Sequence, residues 1–230
     1  MDYIFEGIRE ALRLIFTLDK EVFGTVLLSL KISTAASFFA SLVGIPMGFF
    51  IGTHEFAGKK FVITGFNTLM AFPTVVVGLL VFSFTSRRGP FGPLELLFTP
   101  TAMIIGQFIL VAPIIIALTL SATQGIDPRI RLTAMTLGAN SFQTTITILN
   151  EVRFALMAAL IAGFGRVIAE VGCAMMVGGN IRGYTRTMTT TIALETAKGE
   201  FGFSLALGFI LLIVAFSVNI FLHQFQSQKS

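Results

Sequence analysis

The sequence is short of charge. Asp, Glu, Lys and Arg make up 12% of its 230 residues, against 54% hydrophobic residues and a mean hydropathy of +0.87. A water-soluble domain carries about a quarter charged residues, so this composition excludes one and makes lipid the main solvent. Tryptophan is absent although phenylalanine occurs 25 times, which removes the usual tryptophan belt at the membrane interface. The single cysteine, Cys173, excludes an internal disulfide and a cysteine-based metal cage. His54 and His223 read as interfacial polar residues, so no metal site is expected. The basic surplus is only four charges, and the pI of 9.6 lacks the clustered patch that nucleic acid requires. A phosphate-cradling loop is also missing: Gly58 and Lys59 are followed by Lys60, not by Ser or Thr. The chain is therefore not expected to hydrolyse ATP or to bind a cofactor of its own.

What the sequence has in abundance is long apolar runs. About twenty apolar residues in a helix cross a hydrocarbon core of about 30 Å. Five segments meet this: 23–52, 61–86, 100–122, 154–177 and 201–222. Open sheet edges cannot be satisfied in lipid and the runs lack strand alternation, so the spans read as helices. The fold class is an all-α integral membrane protein, one transmembrane domain over residues 1–230. Residues 1–20 differ. Ile4, Phe5, Ile8, Leu12, Ile15 and Phe16 recur at helical spacing opposite Asp2, Glu6, Arg9, Glu10 and Arg13. That pattern predicts an amphipathic helix on the membrane or along other spans, and no cleaved signal peptide is read in it. An odd number of spans puts the termini on opposite sides, but Lys and Arg divide too evenly between the sides to orient the chain.

Residues 132–150 carry no charge, yet nine of the nineteen are Thr, Ser, Asn or Gln. Burying so many hydroxyls and amides in lipid is costly, which places residues 123–153 in water as a loop between the third and fourth spans. Asp127 followed by Pro128 supplies a helix start, with Asp as cap and Pro at the first helical position. Gly138 can end that helix or take a positive φ. The loop resembles the Glu-Ala-Ala coupling loop of ABC importer permeases, with Leu132, Thr133 and Ala134 at the triplet and Gly138 at its glycine. Of the triplet only Ala134 is kept, and Asn150 and Glu151 stand where that family commonly has Leu-Pro.

Other segments resemble the molybdate/tungstate permeases, in order and spacing, over residues 23–222. They include Ser29-Leu30-Lys31-Ile32-Ser33 with Gly44-Ile45-Pro46, Phe72-Pro73-Thr74 up to Gly78, and Arg87-Arg88-Gly89 with Phe91-Gly92. The set continues with Arg166 followed by Glu170-Val171-Gly172. Gly178 to Gly183, and Thr185 to Thr191, look most like the tungstate branch. The resemblance implies a type I importer permease fold in a bacterial or archaeal plasma membrane, N-terminus outside and C-terminus cytoplasmic. It also implies the partners: a second copy of the chain, a pair of ATPase subunits holding ATP and magnesium, and an extracytoplasmic oxyanion-binding protein. The coupling residues would be Thr133, Ala134, Leu137, Gly138, Ala139, Asn140 and Ser141.

A tetrahedral dianion cannot cross bare hydrocarbon, where an unpaired ion costs on the order of tens of kcal/mol. Its route needs hydrogen-bond donors and cations. Candidate lining groups are Thr74, Ser83, Asn180, Thr185, Thr189 and Thr190, with Arg87, Arg88, Arg182 and Arg186 toward the outer mouth; outer-loop contact with water, headgroups or the binding protein accounts for the arginines equally well. Arg166 and Glu170 share one helix face and can pair, as a structural lock or a gate. Pro46, Pro73 and Pro113 fall inside spans and predict kinks. Gly78, Gly163, Gly165 and Gly172 suit close helix approach. Three alternatives stay open: a sulfate or other oxyanion permease, an ion-driven carrier, and an intramembrane enzyme. No internal repeat favours the carrier, and only Lys31, Arg166, Glu170 and Cys173 offer chemistry at depth for the enzyme.

Overall fold

The computed structural model describes residues 2–17 and 19–227, with side chains over 4–10, 12–17 and 19–220. Every regular element in that range is helical: α1 (Asp2–Phe16), α2 (Lys20–Thr53), α3 (Lys59–Met70), α4 (Thr74–Thr85), a 3-10 turn (Gly92–Leu94), α5 (Pro100–Gln124), α6 (Pro128–Thr136), α7 (Ser141–Glu151), α8 (Arg153–Ile168), α9 (Gly172–Gly178), α10 (Met188–Ala197) and α11 (Phe201–Ser227). Local chemistry sets several of these starts. Asp19 accepts hydrogen bonds from the N–H groups of Glu21 and Val22, each at 3.0 Å, and so caps α2. Thr99 caps α5, whose first residue is Pro100.

The centre is the α2–α5 pair. Ala36 and Ala40 of α2 pack with Val111, Ala112 and Ile115 of α5 and with Val167 of α8. Nearer the Thr53 end Gly44, Gly48 and Gly52 recur every fourth residue and let the two backbones meet. A Cβ on Gly48 would lie 2.6 Å from the Ile116 carbonyl oxygen, so a side chain there has no room. α1 packs along α11: a Cβ on Gly7 would come within 2.7 Å of Leu205 Cβ, and Leu14 is buried with Leu207 and Ile210. The amphipathic helix thus packs along another long apolar helix, α11. Gly78, Gly163 and Gly172 also sit against neighbours at 3.0 Å or less from their ideal Cβ positions, whereas Gly165 faces open space.

Three helices among the described residues are long and apolar enough to cross a membrane alone: Lys20–Thr53, Pro100–Gln124 and Phe201–Ile220. Two bent pairs raise the number to as many as five, Lys59–Met70 with Thr74–Thr85 at 96° and Ser141–Glu151 with Arg153–Ile168 at 63°. The second span is thus not one rod. Pro73 has no N–H to continue α3 and disfavours helical geometry at Phe72, so the chain turns before α4. Pro46 and Pro113, by contrast, lie inside helices that run on through them. The fourth span, expected to run unbroken to 177, ends at Ile168, and a short α9 follows the break.

Candidate functional site

The break after α8 is organised by Glu170, whose side chain is only 3% exposed. Its Oε1 accepts the Cys173 N–H at 3.0 Å, a bond that a continuous helix would give to the carbonyl four residues back, at Ala169. Its Oε2 accepts from Arg166 Nη1 at 2.8 Å, and Arg166 remains 40% exposed. The Thr189 hydroxyl donates to the Glu170 carbonyl at 2.7 Å. One residue therefore ties α8, α9 and α10 together, and its negative charge sits at the first turn of α9. The expected Arg166–Glu170 pair forms, but across a helix end instead of along one helix face. Thr74, half-buried at the head of α4, adjoins the same break: an ideal Cβ on Gly172 would lie 3.1 Å from its hydroxyl oxygen. Cys173 is fully buried against Val77, Val81 and Val177.

Beyond α9 the chain folds into a polar knot. Gly179 and Asn180 both have positive φ, at 68° and 50°. Thr185 donates to the Gly178 carbonyl at 2.5 Å and accepts the Ile181 N–H at 3.0 Å. Thr190 donates to Asn180 Oδ1 at 2.9 Å and accepts the Thr187 N–H at 2.9 Å, completing a capping box for α10. Thr185 and Thr190 are wholly buried and Thr189 nearly so, so these hydroxyls are spent inside the chain. Two members appear in the sequence only as parts of family-like segments, with no site role given to them. Thr187 is the cap of α10, legible as a Thr with Thr three residues on. Ser29 accepts the Met188 N–H at 2.9 Å across 159 residues, which nothing local announces.

The same loop carries Arg182 and Arg186 to the Lys20 end of α2. Arg182 Nε donates to Glu21 Oε1 at 2.6 Å, and its Nη2 reaches Glu21 Oε2. That fork raises the Arg182 pKa above the usual guanidinium value, through the hydrogen bond first and the charge of Glu21 second. Arg186 Nη1 stands 3.8 Å from Glu21 Oε1. Together with Lys20 and Lys31 they line an open cleft of about 570 Å³. Arg87 and Arg88 are exposed in the turn after α4 and do not line it. Ser83 is exposed on α4 and donates to the Leu79 carbonyl at 2.8 Å.

At the opposite end of α2 lie α6 and α7. Asp127 caps α6 by accepting the Arg129 N–H at 2.9 Å. Gly138, at φ 86°, closes α6 in a Schellman motif: its N–H reaches the Met135 carbonyl and the Ala139 N–H reaches the Ala134 carbonyl. A second helix follows that sequence reading left as loop. Its signal was the reciprocal Asn140–Gln143 capping box, both bonds 2.9 Å long. Ala134 is buried in its own chain, while Leu137 is 82% and Phe142 72% exposed; Thr133 and Ser141 are exposed as well. A cavity of about 380 Å³ separates these helices from Phe49, Thr53 and His54 of α2's end. His54 stacks on Phe50 with ring centroids 4.5 Å apart; the His223 side chain lies outside the described residues.

Residues 44–229 match the family described as binding-protein-dependent transport system inner membrane component. The chain belongs to this family. It is 40% identical over 228 residues to the tungstate uptake system permease protein TupB of Peptoclostridium acidaminophilum, covering 99% of this chain and 100% of that one. It is 41% identical over 224 residues to the TupB of Campylobacter jejuni, covering 97% and 94%. In three dimensions it is similar to a chain of the inward-facing MetNI methionine ABC transporter, with a TM-score of 0.70 at 17% identity over 93% of this chain and 96% of that one. That likeness shows the type I importer permease fold. The permease is thus a multi-pass inner-membrane subunit of an ABC importer, and ATP hydrolysis belongs to a separate subunit.

Proposed function

We propose that the permease imports tungstate, or the near-isosteric molybdate, as a homodimer joined to two ATPase subunits and fed by an extracytoplasmic oxyanion-binding protein. The substrate is argued from the tungstate permeases it resembles along almost its whole length. The observation that carries the mechanism is the polarity of α2. Its Lys20 end bears the cationic cleft and its Thr53 end faces α6 and α7, about 50 Å away at helical rise. An anion-attracting face and a protein-docking face at opposite ends of one rod suit vectorial transport, with the N-terminus outside and the C-terminus cytoplasmic.

In this reading α6 and α7 form the coupling element, with Thr133, Ala134, Leu137, Gly138, Ala139, Asn140 and Ser141 at its turn. Leu137 and Phe142 offer the apolar surface that an ATPase groove would cover, and ATP-driven closure of the ATPases moves both copies of the element. The oxyanion route runs where two copies meet. Thr74 and Ser83 of α4 line it, Arg87 and Arg88 stand near its mouth, and Asn180, Thr185, Thr189 and Thr190 stiffen its wall through their internal bonds. Arg166 and Glu170 clasp that wall, so their pairing sets the ease of switching without ligating substrate, which a carboxylate would repel. Pro73 supplies the bend of the second span; Pro46 and Pro113 are packing residues in continuous helices. The test is tungstate uptake into proteoliposomes holding permease, ATPase and binding protein. ATP-dependent accumulation is expected; accumulation without ATP, or of sulfate in preference to tungstate, would overturn the assignment.

A further inference from the structure

The cleft at the outer end of α2 holds more cationic charge than the chain itself uses. Lys20, Lys31, Arg182 and Arg186 line it against the single carboxylate of Glu21. Lys20 and Lys31 have no ion-pair partner among the described residues. Arg186 is little better served. Its 3.8 Å approach to Glu21 is too long for a hydrogen bond, and its buried Nε donates to nothing among the described residues. Asp19 and Glu195 lie near enough to act on Arg182, but Asp19 caps α2 and Glu195 pairs with Lys198. No other carboxylate among the described residues lines the cleft.

Geometry extends this surplus inward. Lys31 follows Lys20 by eleven residues, about three turns and 16 Å along the axis, and so stands on the same face of α2. Gly24 lies between them, and a Cβ there would meet nothing within 4 Å, which leaves the face open. Lys31 is exposed, although it is the one charge in a long apolar run. A lysine in such a position normally marks a polar path or snorkels to an interface.

We propose that this cleft is the permease's receiving site for a tetrahedral oxyanion. Glu21 is a resident anion that holds Arg182 and Arg186 in place and yields them to the incoming dianion. Lys31 then draws that dianion along α2 toward the route between the two copies. The inference rests on the oxyanion-import reading and adds three residues to it, Lys20, Glu21 and Lys31. It carries a signature that a structural role lacks. Two substitutions that each remove one charge, Lys31→Gln and Glu21→Gln, must move oxyanion binding in opposite directions.

Tungstate binding is measured on the permease–ATPase complex in phosphatidylcholine nanodiscs without binding protein, alongside uptake by the complete transporter. K31Q is expected to weaken tungstate binding about tenfold and E21Q to strengthen it about tenfold, as befits one partly screened charge. K31R should restore binding, and all three variants should elute as the wild-type complex does. Equal-sign shifts, or shifts within twofold, overturn the proposal. So does a K31Q defect that appears only when phosphatidylglycerol is added, which would give the cleft to lipid headgroups. A K31Q loss confined to docking of the binding protein would give it instead to an acidic protein surface. Wild-type tungstate uptake separates the two levels: its absence refutes the import reading, whereas intact uptake with unresponsive variants refutes the receiving site alone.

Discussion

Glu170 and Glu21 each hold arginine, and the settings are opposite. Glu170 is nearly out of reach of solvent, and both its oxygens are bonded within the chain, to Arg166 and to the Cys173 N–H. Glu21 is 41% exposed and faces an excess of cations in an open cleft. Removing one partner of a buried ionic group strands the other in low dielectric, while an exposed pair is screened and adds little to stability. The same carboxylate–guanidinium chemistry is therefore structural at the break of the fourth span and available for exchange at the Lys20 end of α2. Burial decides the role.

The comparison breaks first at Glu170. Glu170→Ala strands Arg166 and the Cys173 N–H, and should lower unfolding stability in detergent by about 2–3 kcal/mol, less than a fully buried pair because Arg166 is partly exposed. A loss under about 1 kcal/mol would mean that this site is not structural. Next comes Thr190→Val, which keeps the shape but leaves Asn180 Oδ1 and the Thr187 N–H without their buried partner; the expected cost is about 2 kcal/mol. An unchanged denaturation midpoint would remove the polar knot from the structural side. Gly138→Val forces a β-branched residue to φ 86°, costing about 1 kcal/mol locally. Its larger readout is co-purification with the ATPase, which should fall sharply. Undiminished ATPase binding together with full uptake would contradict the coupling role of α6 and α7. At the far end of the scale, Arg182→Gln should leave the unfolding midpoint unchanged while weakening tungstate binding. A clear fall in the midpoint would show that the Glu21 cluster is structural too.

Much of the architecture was legible in the sequence where short-range physics governs it. The apolar runs foretold the helices, Asp127 with Pro128 marked the start of α6, and Gly138 takes the positive φ its position suggested. The spacing of Arg166 and Glu170 foretold their pairing. It did not foretell that Glu170 would take the Cys173 N–H and end the helix, because a carboxylate competes with a backbone carbonyl only once burial removes water from the contest. The helix α7 was within reach, since Asn140 and Gln143 spell a capping box. The knot was not. Ser29 meets Met188, and Glu21 meets Arg182, across more than 150 residues, and no periodicity encodes such a meeting.

Composition and hydrophobic run length determined that this chain is a helical membrane protein, because lipid admits few backbone solutions and each run satisfies its own hydrogen bonds. The spacing of caps and glycines determined where several helices begin and end, since those bonds span three or four residues. Only the tertiary structure decided which charges are sealed in and which are open. Desolvation depends on every neighbour a side chain acquires, and most of those neighbours arrive from distant parts of the chain.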